Sequence, residues 1–217
     1  MMNTEKSHFY KSLLFPVLML SIMWGVKTIE YFGGYDFAFL GIMPKKFSGL
    51  IGIITSPFIH ENFSHLISNS VPFFLLSLTL FYFYKGIAAK VFFLIYFMTG
   101  LCVWLSGREA YHIGASGVVY GLAAFLFFSG MIRRDSRLAA IALVIVFMYG
   151  SMVWGIFPEF FPGQNISFEA HFWGLAVGGL FAVYFRDSGP PQKKYSWELE
   201  QDTPDDNDES KDTLSDT

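Results

Sequence analysis

Cysteine, charge and strand-type alternation are what this chain of 217 residues has least of. The single cysteine, Cys102, lies within an apolar stretch, which excludes an internal disulfide. Only 15% of residues are charged, against about 25% in a soluble domain, so an ordinary water-soluble fold is excluded. The formal net charge is −3, and nothing in the sequence suggests a nucleic-acid partner. No long segment alternates apolar and polar residues at period two, which excludes barrel strands. The first apolar run, Ser12 to Trp24, follows Lys6 and Lys11 but has no small-x-small cleavage site, so it reads as a retained span and not as a signal peptide.

Apolar residues are abundant: 53% are hydrophobic and 19% aromatic, with 26 Phe. They fall into six blocks, about 12–32, 63–84, 88–106, 115–131, 137–156 and 168–186, separated by Gly, Pro or charged punctuation. Each is near the length of roughly 20 residues that a membrane-crossing helix needs. The expected fold class is therefore an all-α membrane protein of six transmembrane helices. Three regions are expected: a cytoplasmic N-terminal segment 1–11, a membrane domain 12–186, and an acidic tail 187–217. Of the chain's 15 Lys/Arg and 18 Asp/Glu, the tail takes three and ten, leaving 12 and 8 in a weakly basic membrane domain. The tail has almost no aliphatic residues and is read as a disordered cytoplasmic extension.

Six spans put both termini on one side. On that side fall ten basic residues: Lys6, Lys11, Lys85, Lys90, Arg133, Arg134, Arg137, Arg186, Lys193 and Lys194. The opposite side has four, Lys27, Lys45, Lys46 and Arg108. The positive-inside bias places both termini in the cytoplasm. The first outer connection, about 33–56, is rich in Gly, Phe and Ile and is expected to seat in the membrane interface. The fifth, GIFPEFFPGQN, is irregular yet greasy. Asn165-Ile166-Ser167 fits a glycosylation sequon, a triplet that also arises by chance.

Polar residues within or at the outer ends of spans are candidates for function, because they are costly there. They are His60, His65, Asn69, Ser116, Tyr120 and His171, while His8 and His112 read as solvent-side residues. Counted along a helix from the cytoplasmic charge closing each span, Ser116 lies about 26 Å from Arg133, His171 about 22 Å from Arg186 and Asn69 about 24 Å from Lys85. All three share one level, a few Å inside a hydrocarbon core about 30 Å thick.

Peptide hydrolysis needs a nucleophile, a base, oxyanion donors and water. Ser116 and His171 supply the first two. Glu169 is only two residues before His171 and points elsewhere, so the pair reads as a dyad. Ser116 opens its helix, where backbone N–H groups favour negative charge. His65 and Asn69, four apart, share a face and can aim donors at the same point. Tyr120, one turn from Ser116, can pack against His171.

Packing competes as an explanation. Gly114, Gly117 and Gly121 form a small-residue face, as do Gly174 and Gly178, and a lone serine in such a face is ordinarily structural. One Ser, one Asn and the histidines at one height on three spans are harder to assign to packing. The string His60-Glu61-Asn62-Phe63-Ser64-His65 is one residue too long for the zinc motif HExxH: five positions turn the second His by about 140°. No metal and no cofactor are expected.

Three stretches resemble the rhomboid family of intramembrane proteases. GASGVVYG at 114–121 resembles its GxSG motif opening the fourth span. HENFSHLISN at 60–69 resembles its second-span pattern of His, His and Asn. EAHFWGLAVGG at 169–179 resembles its sixth-span AHxxG setting. Order, spacing and span number agree over about residues 10–186. The resemblance implies Ser116 as nucleophile, His171 as general base, and an oxyanion site from His65, Asn69 and the Ser116 backbone, with His60, Tyr120, Gly114 and Gly117 in support. It also implies a water-filled cavity opening outward, a mobile fifth loop and span admitting substrate, and transmembrane segments of other proteins as substrates. The implied location is the bacterial inner membrane. Two departures stand out: Trp173 occupies a position where many members have a small residue, and the Trp-Arg pair often found in the first loop is missing.

Two other readings exist, a non-catalytic relative that escorts membrane proteins and a small channel or transporter. Relatives of the first kind lose the Ser or the His, and this chain keeps both. A channel needs polar residues continuing to the cytoplasmic side, where these spans carry Phe, Leu, Val and Ile.

Overall fold

A computed structural model describes residues 2–148 and 167–190. These form an all-helical bundle of six long helices: α1 (Met2–Gly33), α2 (Phe63–Phe83), α3 (Ala88–Ser106), α4 (Ser116–Ile132), α5 (Ser136–Met148) and α6 (Phe168–Tyr184). By length and composition, Glu5–Gly33, α2 and α3 are each sufficient to cross a membrane. Helices α4 and α6 have 17 residues each, about 26 Å, the short end of the spanning range. Residues 149–156 of the expected fifth span, the fifth connection, the first two residues of the Asn165 sequon and the acidic tail beyond Pro190 lie outside the described residues.

The starts of the helices follow local rules. Asn62 caps α2, its Oδ1 accepting the His65 N–H at 2.8 Å, and Ser167 caps α6 by accepting the Ala170 N–H at 3.3 Å. Helix α1 starts ten residues before the expected span. Its first turns dock on the end of α2, where Ser12 Oγ donates to Phe81 O at 3.2 Å and the His8 ring bonds Tyr82 O at 3.0 Å. His8 is thus half-buried and bonded, which corrects its reading as a solvent-side residue.

Helix α4 is the axis of the bundle. Every residue from Gly117 to Leu126 is buried, and α6, α5, α2 and α3 all pack on it. The outward faces of the other helices carry large exposed apolar side chains, among them Leu14, Leu18, Phe93 and Leu180. Apolar character on both the core side and the outer side is the mark of helices solvated by lipid.

The first loop, 34–62, is a chain of short turns (Ala38–Leu40, Phe47–Ile51, Gly52–Thr55 and Ser56–Phe58) packed on α3. Trp104 Nε1 donates to Lys46 O at 2.9 Å, Lys45 N–H to Trp104 O at 3.0 Å, and the Tyr96 hydroxyl to Ile54 O. Its outer side exposes Phe39, Phe47, Ile51 and Ile54, an apolar surface. In place of a Trp-Arg anchor the loop has a buried ion pair on α1. Lys27 Nζ meets Glu30 Oε2 at 2.7 Å and also donates to the carbonyls of His60 (3.0 Å) and Glu61 (2.9 Å), while Glu30 Oε1 accepts the Phe37 N–H at 2.9 Å.

At the other end, Arg133 is buried and bonds carbonyls at and just beyond the end of α6. It donates to Phe185 O and Pro190 O, both at 2.8 Å, and to Ser188 O, with Tyr84 beneath it.

Candidate active site

Helices α4 and α6 meet along a seam of glycines. A Cβ on Gly178 would lie 2.1 Å from Gly121 O, and one on Gly117 would lie 3.1 Å from Ala170 O. Backbones can come this close only where side chains are missing. The seam brings the first turn of α4 against the first turn of α6, and with it Ser116 against His171. His171 Nε2 stands 2.8 Å from Ser116 Oγ, within reach for proton transfer. Trp173 lies off the seam, its indole N–H donating to Ser106 Oγ on α3 at 2.7 Å, so its bulk leaves the close approach intact.

The imidazole is held on its flat side. Tyr120 stacks on it with ring centroids 4.3 Å apart and an 11° angle between planes. His171 is buried and Ser116 half-buried. Ser116 opens α4, whose first intrahelical bond is Val119 N–H to Ala115 O. The N–H groups of its first residues, Ser116 included, are therefore left without intrahelical acceptors.

Gly114, two residues earlier, adopts φ +101°, a conformation other residues reach only with strain. Its N–H donates to Ser56 O at 2.9 Å. A Cβ there would lie 2.8 Å from His65 Nε2 and 3.8 Å from Asn69 Nδ2. The side chains of His65 and Asn69 are thus gathered at the loop leading into Ser116, and Asn69 Nδ2 is fixed by donating to His65 O at 3.0 Å.

His60 stands one layer back. Its ring meets His65 edge-on at 5.1 Å, is fully buried, and has no hydrogen-bond partner on either nitrogen among the described residues. Burial, with His65 and Lys27 adding to it and the Phe58 backbone opposing, pushes its pKa down to about 3, so it is neutral near pH 7. Among the described residues no three His, Cys, Asp or Glu side chains converge as a metal site.

His112 is not a solvent-side residue. It is 3% exposed, with Nδ1 2.6 Å from Ser167 Oγ and Nε2 3.1 Å from Arg108 O. Its backbone pairs in both directions with Ile42 of the first loop at 2.9 Å. Beside it, Glu169 turns away from His171 and holds Arg108, through the backbone N–H at 3.2 Å and Nη1 at 2.9 Å. The sequence holds no periodic signal for a loop histidine of this kind, whereas Ser167 one residue before an apolar helix is a readable cap.

A helical bundle with spans of membrane length and a half-buried serine–histidine contact at the start of two of its helices defines the class: a polytopic membrane protein. The rhomboid domain model matches residues 48–188. An uncharacterized protein of Mycobacterium tuberculosis (strain ATCC 25618 / H37Rv) is 32% identical over 183 residues, covering 81% of this chain and 74% of that protein. One from Mycobacterium leprae is 27% identical over 186 residues, 81% of this chain and 70% of the relative. A protein of Acanthamoeba polyphaga mimivirus that bears a rhomboid name is 30% identical over 148 residues, 64% of this chain and 77% of that protein. The chain belongs to the rhomboid family, a family of intramembrane proteases.

Proposed function

We propose that this protein is an intramembrane serine endopeptidase that cuts transmembrane segments of other membrane proteins. The reading rests on one observation above the rest, the 2.8 Å contact between His171 Nε2 and Ser116 Oγ. His171 takes the hydroxyl proton as Ser116 Oγ attacks the scissile carbonyl. The tetrahedral oxyanion is met by the Ser116 backbone N–H and by donors from His65 and Asn69. His171 then gives its proton to the leaving amine, and an acyl group remains on Ser116. A water, deprotonated by the same imidazole, attacks the ester and frees the serine.

The substrate enters as a helix whose carbonyls are already hydrogen-bonded, so it must unwind locally before attack. Weak helix formers near the cut and small residues at it fit that requirement. The site opens on the side opposite the termini, which the positive-inside bias puts in the cytoplasm, in the bacterial inner membrane that the resemblance implies. The membrane domain 12–186 carries the activity, and the acidic tail 187–217 is dispensable for it.

Co-expression with candidate single-span membrane proteins tests the reading. A new fragment of a substrate is expected with the wild type and not with Ser116→Ala. A fragment formed equally by both would transfer the cleavage to another protease and remove the assignment.

A further inference from the structure

Helix α6 carries the general base, yet its first turn is fastened by groups that take no part in the chemistry. Ser167 caps the helix through Ala170 N–H, and its hydroxyl lies 2.6 Å from His112 Nδ1. His112 Nε2 lies 3.1 Å from the Arg108 carbonyl, which can only accept. That fixes the tautomer: Nε2 carries the hydrogen, Nδ1 is the acceptor, and the Ser167 hydroxyl donates to it. The peptide of His112 is at the same time paired with Ile42. Glu169 adds a second tie from α6 to Arg108. His112 therefore joins three pieces: its peptide holds the first loop, and its ring ties the segment leading to Ser116 to the turn of α6 that ends at His171.

We propose that His112 is a positioning residue, whose neutral ring latches the first turn of α6 to the segment before Ser116 and so sets the approach of His171 to the serine. This rests on the reading of Ser116 and His171 as a catalytic pair. The latch is sensitive to acid. A protonated ring has two donors and no acceptor, so the Ser167 hydroxyl loses its partner and must turn. Among the described residues, Glu169 from α6, 3.9 Å away, and Arg108 from the preceding segment are the charged groups that act on the ring, while the first loop pairs with the His112 peptide through the Ile42 backbone.

Burial lowers the His112 pKa, with the Arg108 carbonyl and Glu169 opposing and the Arg108 charge adding to it. The unfolded chain thus binds the proton more readily than the native one. The latch contributes fully above about pH 6.5 and weakens as pH falls from there towards the depressed native value.

The test is the pH dependence of fluorophosphonate labelling, measured on full-length wild type and on His112→Asn, His112→Ala and Ser116→Ala. Wild type is expected to be labelled and Ser116→Ala not. His112→Asn keeps an acceptor for Ser167 without titrating. It is expected to label within about threefold of wild type at pH 8, with an acid limb shallower by one proton. His112→Ala is expected to lose about tenfold at pH 8, on the order of one buried hydrogen bond. Wild-type rates and slopes in both His112 variants would overturn the latch and leave the dyad standing. So would a loss in His112→Ala that His112→Asn fails to restore. Wild type that is folded yet never labelled would remove the dyad, and the latch with it.

Discussion

Gly174 of α6 rests directly on the peptide of Gly117 of α4: a Cβ placed on Gly174 would lie 2.1 Å from the Gly117 carbonyl oxygen and 3.2 Å from the Gly121 nitrogen. One methyl group is therefore enough to push apart the helices that carry Ser116 and His171. Gly174→Ala is expected to destabilise the bundle by about 1–3 kcal/mol and to remove most of the activity. Gly179, on the same helix, would put its Cβ 3.6 Å from the Phe128 ring, an ordinary contact. Gly179→Ala is expected to match wild type in thermal unfolding in detergent and in substrate cleavage. Equal behaviour of the two variants would show that the seam does not set the site.

Tyr120 acts on His171 through its ring, stacked at 4.3 Å. An aromatic contact of this kind contributes about 0.5–1.5 kcal/mol. Tyr120→Ala is expected to lower kcat by about tenfold, the upper end of that range. Tyr120→Phe keeps the ring and is expected to stay much nearer wild type. Steady-state cleavage of one transmembrane substrate by the three proteins decides it.

Lys27 and Glu30 are each 8% exposed and tie α1 to the peptides before α2. Removing one partner leaves the other charge buried alone, a loss of about 3–5 kcal/mol in comparable cases. Lys27→Met is expected to lower the unfolding midpoint sharply. Adding Glu30→Gln to Lys27→Met is expected to recover part of the loss, because no charge is then stranded. A double variant less stable than the single one would contradict the ion pair's role.

His60 is buried with no partner for either ring nitrogen among the described residues, and its pKa is pushed down to about 3. The native state thus resists a proton that the unfolded chain accepts at about pH 6.5, and stability contributed here is full above that value and falls steadily towards pH 3. His60→Leu removes the buried polar atoms and is expected to flatten the unfolding midpoint's dependence on pH between about 6.5 and 4. An unchanged slope would mean that the ring is protonated natively.

Much of the fold is legible in the amino-acid sequence, and the reasons are physical. Spans are long apolar runs set by bilayer thickness, so the limits of α2, α3 and α4 fall within a residue or two of those expected. The meeting of Ser116 with His171, and of Asn69 with the loop before Ser116, agrees with the common level that helical rise predicts. The chemistry of the loops is not legible in this way. His112 is buried only because the first loop and the start of α6 close over it, a long-range event with no periodic trace. The early start of α1 depends on partners that His8 and Ser12 find on α2, which polarity along the chain does not reveal. The Lys27–Glu30 pair is equally hidden, because along the chain Lys27 is indistinguishable from an ordinary outer-side charge.

The proposed mechanism requires the Ser116 hydroxyl to be an activated nucleophile. Mass spectrometry of the purified protein after fluorophosphonate treatment measures that directly. One phosphonyl group is expected on the peptide carrying Ser116, with none on Ser116→Ala and little on His171→Ala. Folded protein that stays unmodified, or that is modified at another serine, would contradict it.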